Sequence, residues 1–176
     1  LLVGAALCGG RAYAVLEKFF RAVADFVTGE KNPELYERMN EWGRSYAGNE
    51  KLKIRTTFSG TRANPELRGS IERISTTNLT PANMVIGVLE GIADELYEQY
   101  MQMEPYVFNK PEFLIGSGNG IRKNTLLQEI FSKKFGMPLR IPLYSEEAAN
   151  GAALLSLLCT GVYKDISEAQ SKIKFK

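Results

Sequence analysis

Residues 113–131, FLIGSGNGIRKNTLLQEIF, constrain this chain more than any other stretch. Residues 113–116 read as a short buried strand, glycines follow at 116, 118 and 120, and Leu126, Leu127, Ile130 and Phe131 return at helical spacing. A strand that breaks into glycines and restarts as a helix has the layout of a nucleotide loop. Glycine lets the backbone approach a ligand and take positive φ, and the following helix presents unpaired N–H groups. A phosphate or a base edge would suit it equally, and a tight strand-to-helix turn needing glycine only for geometry explains the same residues as well. Spacing removes the two commonest nucleotide loops. Ile121 stands five positions after Gly116 and no Gly-Lys-Ser/Thr occurs, so there is no P-loop; neither Gly116 nor Gly118 supplies the third glycine of a dinucleotide fingerprint.

The rest of the chain alternates helices with strands. After Gly9 and Gly10, Tyr13, Leu16, Phe19, Phe20, Val23 and Val27 mark an amphipathic helix ending near Gly29, and a second helix is expected over 33–46. LKIRTTF (52–58) and SIERIST (70–76) read as strands, with loop between them. Thr80 as N-cap and Pro81 at the first helical position open a long helix ending around Met103. A helix to about Phe135, a short strand PLRIP from Pro138 and a last helix from Glu146 complete an α/β layered domain. The opening LLVGAAL reads as an interior strand, and Lys172, Lys174 and Lys176 as a solvated tail.

Composition narrows the chemistry. The chain has no histidine, which removes Ser-His and Cys-His nucleophile pairs and every histidine metal site. Cys8 and Cys159 cannot build a disulfide framework; each sits among apolar or small neighbours as a free buried thiol, and a reducing cytoplasm is the expected home. A net charge of +2 spread along 176 residues gives no nucleic-acid footprint, and no run of eighteen apolar residues suggests a membrane span. The length suits one domain. The chain opens at Leu1 rather than methionine, which reads as a piece of a longer polypeptide.

Five motifs occur in a fixed order: CGGRAYAVL (8–16), FSGTR (58–62), LEGIADEL (89–96), GNGIRK (118–123) and EEAANGAALLS (146–156). Together they resemble the C-terminal domain of the FGGY carbohydrate kinases, with Asn119 in place of the middle glycine of a GGGAKS-like loop and Thr61 in place of the acid of SGER. RISTTNLTPANM, GSGNGIRKN and GAALCGGRAYA look most like the sedoheptulokinase branch; xylulokinase or another FGGY sugar kinase is the alternative.

The resemblance implies an actin-like ATPase fold, ribonuclease H-like, with a mixed sheet flanked by helices. Residues 1–176 would form the single C-terminal nucleotide-binding domain of a two-domain sugar kinase. It further implies ATP and Mg2+ as cofactors and transfer of the γ-phosphoryl group to a sugar hydroxyl. Positioning and charge stabilisation carry such a transfer. Gly118, Asn119 and Gly120 fall where the family passes under adenosine and the α-phosphate, and Lys123 where a polar side chain reaches the adenine edge, a part Asn124 could take instead. Gly9, Gly10 and Tyr13 match the second wall of that pocket, although a Tyr on an apolar helix face is more often core.

No catalytic residue and no metal ligand is expected in this chain, because the catalytic Asp and most sugar contacts belong to the absent N-terminal domain. That domain is the expected partner, together with ATP or ADP and, mainly through it, the sugar. The chain alone should be inactive, and the apolar patch where the first domain docks could make it a homodimer. Two other classes stay open: an actin-like ATPase module whose nucleotide drives partner binding, and a degenerate kinase-like scaffold, which Asn119 and Thr61 keep in view. Arg62 reads as a loop anchor, and Glu146 and Glu147 as acids at the positive end of a helix. The small residues Ala148, Ala149, Gly151, Ala152 and Ala153 should let the last helix lie against the glycine-loop strand, so that Gly151→Leu would disturb nucleotide binding indirectly.

Overall fold

In the computed structural model, which describes residues 2–46, 48, 50–109 and 111–176, the chain divides into two units, Leu1–Lys110 and Pro111–Lys176. Each unit holds its own two-stranded sheet.

The first unit is built on helix α1 (Arg11–Thr28), α2 (Tyr36–Ser45) and α3 (Pro81–Met103). The amphipathic pattern of α1 buries Ala12, Tyr13, Leu16 and Glu17, and Gly29 ends it in the left-handed region at φ 71°. Buried Glu17 is compensated twice, by Arg21 at 3.3 Å and by the Leu35 N–H at 3.3 Å. Strand β1 (Lys53–Arg55) pairs antiparallel with β2 (Ser70–Glu72), Ile54 opposite Ile71. Behind β1 lies α3, capped by the Thr80 hydroxyl, which accepts the Asn83 N–H at 3.2 Å. Its apolar face of Val85, Val88, Leu89, Ile92 and Ala93 is the core of the unit.

Two features bring α3 close to β1. Asn83, fully buried, accepts the Leu52 N–H at 3.2 Å and donates to the carbonyls of Glu50 and Asn78, both at 2.9 Å, so every polar atom it buries is matched. Gly91 lies against the strand backbone: a Cβ there would stand 2.2 Å from the Ile54 carbonyl oxygen. The glycine of LEGIADEL is therefore a packing glycine. That of FSGTR closes its loop, Gly60 lying at φ 74° under Pro65.

The second unit runs β3 (Leu114–Ile115), α4 (Asn119–Lys123), α5 (Thr125–Phe135), β4 (Leu139–Arg140), α6 (Glu147–Cys159) and α7 (Ile166–Gln170). Strands β3 and β4 are parallel, Leu114 opposite Leu139, and the connecting α5 buries Leu126 and Leu127. Gly136 at φ 63° stops α5 where the periodicity predicts.

Several expectations change. The described strands form two pairs of two or three residues each, one antiparallel and one parallel. Residues 2–7 of the opening run form no strand, and Leu2 and Val3 are exposed; Leu1 lies outside the described residues. The lysine-rich end pairs back on the segment just after β4: the Leu143 N–H reaches the Lys174 carbonyl at 2.8 Å, the Lys176 N–H reaches that of Ile141 at 2.9 Å, and Phe175 bridges to Pro142. Charge alone did not reveal this, because the aromatic Phe175 supplies the packing, 6.1 Å from the Phe113 ring.

Helix α6 buries none of its residues, so Cys159 at its end is exposed, unlike Cys8. Nothing lies within 4 Å of where a Gly151 Cβ would stand. The small residues thus make no close approach to β3, and Gly151→Leu loses its reason to disturb the loop. Small size permits contact but does not create it.

Candidate nucleotide site

The three glycines do three different things. Gly116 is buried, and a Cβ there would meet Ile141 Cδ1 at 2.9 Å, Ile121 Cγ1 at 3.1 Å and Leu139 Cδ2 at 3.1 Å, so it is small for packing. Gly118, the N-cap of α4, takes φ 91° and ψ 158°, a conformation closed to L side chains. Gly120 has no such reason: it lies in α4 with open space where its Cβ would be. Packing therefore accounts for the first and backbone conformation for the second, and neither accounts for the third.

The flanking polar groups hold this loop. Arg122 donates from Nη1 to the Pro142 carbonyl at 2.8 Å and from Nη2 to the Tyr144 carbonyl at 2.6 Å and to the Glu147 carboxylate. Glu147 sits in the first turn of α6, as its sequence position suggests. The Arg122 hydrogen bond first, then the N–H groups of Glu147 itself and of Gly118, hold its carboxyl below the usual carboxylate range. Gln128 Nε2 donates to the last carbonyls of α4, Ile121 at 2.7 Å and Arg122 at 3.2 Å.

The candidate residues of this unit divide by exposure. Gly118, Asn119, Gly120 and Lys123 lie exposed on one loop and helix turn. Asn124 is 5% exposed, and its Oδ1 accepts the Leu127 N–H at 2.9 Å as the N-cap of α5. In the first unit, Gly9 at φ 45° and Gly10 form the turn into α1, both with open space where a Cβ would be. Tyr13 is 7% exposed, its hydroxyl donates to Asn40 Oδ1 at 2.7 Å, and its ring lies 5.9 Å from that of Tyr36. Core packing carries it. Arg62 is exposed.

Sequence reasoning missed Arg122 and Gln128, and saw Glu147 only as a helix-start acid. Arg122 and Glu147 are 25 positions apart, and no periodicity links residues at that separation. An Arg inside a glycine loop and an acid ahead of a small-residue helix were the available signals.

The open backbone around Gly118 and Gly120 fits a nucleotide approaching this loop. For Mg2+ no fit can be drawn from this chain: among the described residues, no group of three His, Cys, Asp or Glu side chains is placed to hold a metal ion. Among the same residues, no helix is long and apolar enough to cross a membrane.

Residues 1–158 match the C-terminal domain of the FGGY family of carbohydrate kinases, and the chain belongs to that family. It is 35% identical to a glycerol kinase of Parabacteroides distasonis over 105 residues, 60% of this chain and 21% of that protein. It is 25% identical to the sedoheptulokinase of Mus musculus over 158 residues, 88% of this chain and 32% of that protein. The chain thus spans between a fifth and a third of these relatives' length. Its structure resembles gluconate kinase from Lactobacillus acidophilus at TM-score 0.76 and 18% identity, covering 93% of this chain and 32% of the other. It resembles Plasmodium falciparum glycerol kinase, solved with ADP, at TM-score 0.71 and 20% identity, covering 93% and 30%. These likenesses give the chain the fold of the FGGY kinases.

Proposed function

We propose that residues 1–176 are the ATP-binding C-terminal domain of a two-domain carbohydrate kinase of actin-like ATPase fold. The whole protein transfers the γ-phosphoryl group of ATP to a sugar hydroxyl, with sedoheptulose as first choice. The observation that carries this reading is the family match over residues 1–158. The sugar choice is supported by the relative named sedoheptulokinase, aligned over 88% of the chain. A second acceptor, glycerol, is favoured by the higher identity, 35%, to the relative named glycerol kinase, over a shorter span.

The chain's part is to bind and orient. Asn119 and Gly120 offer exposed backbone N–H groups at the start of α4 to the adenosine and α-phosphate portion, and Gly118 sets their direction. Lys123, exposed one turn on, reaches the adenine edge. Gly9 and Gly10 contribute open backbone in the first unit, where Tyr13 is packed in the core. When bound, Mg2+ neutralises phosphate charge; no residue of this chain is assigned to it. The base that deprotonates the sugar belongs to the remainder of the polypeptide, so the 176-residue chain alone is inactive.

The test measures ADP release by the full-length polypeptide with sedoheptulose, xylulose, ribulose or glycerol, one at a time. Turnover with sedoheptulose alone supports the first choice, and turnover with another acceptor replaces it. ATP binding without turnover on any acceptor favours a scaffold. Turnover by the isolated chain would overturn its assignment as a binding domain only.

A further inference from the structure

We infer that Arg122 and Glu147 are positioning residues for the nucleotide loop, a pair that ties α4, and with it the backbone of Asn119 and Gly120, to the segment after β4. The inference rests on the nucleotide reading above. The Arg122 guanidinium donates to the Glu147 carboxylate, while the Arg122 N–H donates to the Gly118 carbonyl at 3.0 Å as the opening bond of α4. Two further guanidinium bonds, to Pro142 and Tyr144, tie α4 to the segment after β4. The Arg122 side chain is 11% exposed, so these charge-assisted bonds work with little competition from water.

The Arg122 Nε is buried with no hydrogen-bond partner among the described residues, a cost that the other guanidinium bonds must offset.

The experiment uses the full-length polypeptide and compares Glu147→Ala, Glu147→Gln and Arg122→Met. KM for ATP, KM for the accepted sugar and the thermal midpoint are measured for each. Loss of a charge-assisted bond at the loop should raise KM for ATP about tenfold in Glu147→Ala and Arg122→Met and less in Glu147→Gln, which keeps an acceptor for the Arg122 guanidinium. KM for sugar should stay within about twofold. The Glu147→Ala, Arg122→Met double variant should be no worse than the worse single one, since the same ion pair is broken either way. Unchanged KM for ATP in the folded Glu147→Ala protein overturns the inference. So does a parallel rise of both KM values in Glu147→Gln with a lowered midpoint, which marks a purely structural role. Absence of ATP binding in the unaltered protein overturns the nucleotide reading itself, and this inference with it.

Discussion

The Asn124 side chain accepts the Leu127 N–H at 2.9 Å from a buried position, which makes the residue directly after the glycine turn the cap of α5. Asn124→Ala should therefore destabilise the chain by about 1 kcal/mol, and Asn124→Asp or Asn124→Ser should recover most of it. Thermal unfolding of the three variants checks this. A lowered ATP affinity in Asn124→Asp without loss of stability would instead point to direct contact with the nucleotide.

Alanine at each glycine of the loop is the same one-carbon change with three expected results. At Gly116 the methyl meets side-chain ends at 2.9–3.1 Å and should cost about 1–3 kcal/mol, the range for overpacking a tight core. Gly118→Ala should cost about 1–3 kcal/mol through its positive φ. Gly120→Ala, in a helix with open space around it, should gain up to about 1 kcal/mol of stability. If a nucleotide lies over this backbone, that same variant should bind ATP more weakly. Calorimetric titration beside thermal melts separates the effects.

Acid should loosen the loop. The Glu147 carboxyl lies below its ordinary value of 4.5 because of Arg122 first, and Asp25 and Glu72 are lowered by hydrogen bonds from Asn32 and Ser70. For groups lowered on folding, the unfolded chain binds protons first. Their stabilisation is fully present above the unfolded value and is lost as pH falls through the folded one. The thermal midpoint should be flat above about pH 5 and fall below it, and the fall should be shallower in Glu147→Gln. A pH series of melts down to about pH 3 reads both slopes.

Gly91→Ala should be strongly damaging to the first unit. The added carbon would stand 2.2 Å from a backbone oxygen of β1, which cannot rotate away as a side chain can, so α3 must shift. A loss of about 3 kcal/mol or more is expected. Hydrogen exchange should show it first in α3 and β1. An unchanged melt would mean that the helix does not lie on the strand as described.

Local signals were legible in the sequence where the chain itself carries their cause. Thr80 and Pro81 announced α3, Gly29 and Gly136 ended their helices, and the glycine turn between strand and helix stands where it was read. Burial at a distance was not legible. Tyr13 is held in the core by Asn40, 27 positions away, and Arg122 finds Glu147 at 25, partners that no window of helical or strand period contains. The α6 run of small residues misled for the same reason, since composition describes a surface and says nothing of what faces it.

The return of residues 174–176 to the segment after β4 has a practical side. Backbone bonds at 2.8 and 2.9 Å flank the Phe175 bridge and occupy donors and acceptors along a rim that would otherwise offer itself to a strand from another molecule. Lys174, Phe175 and Lys176 thus work as a guard against self-adhesion, and losing the Phe175 ring would trade a quiet rim for a sticky one.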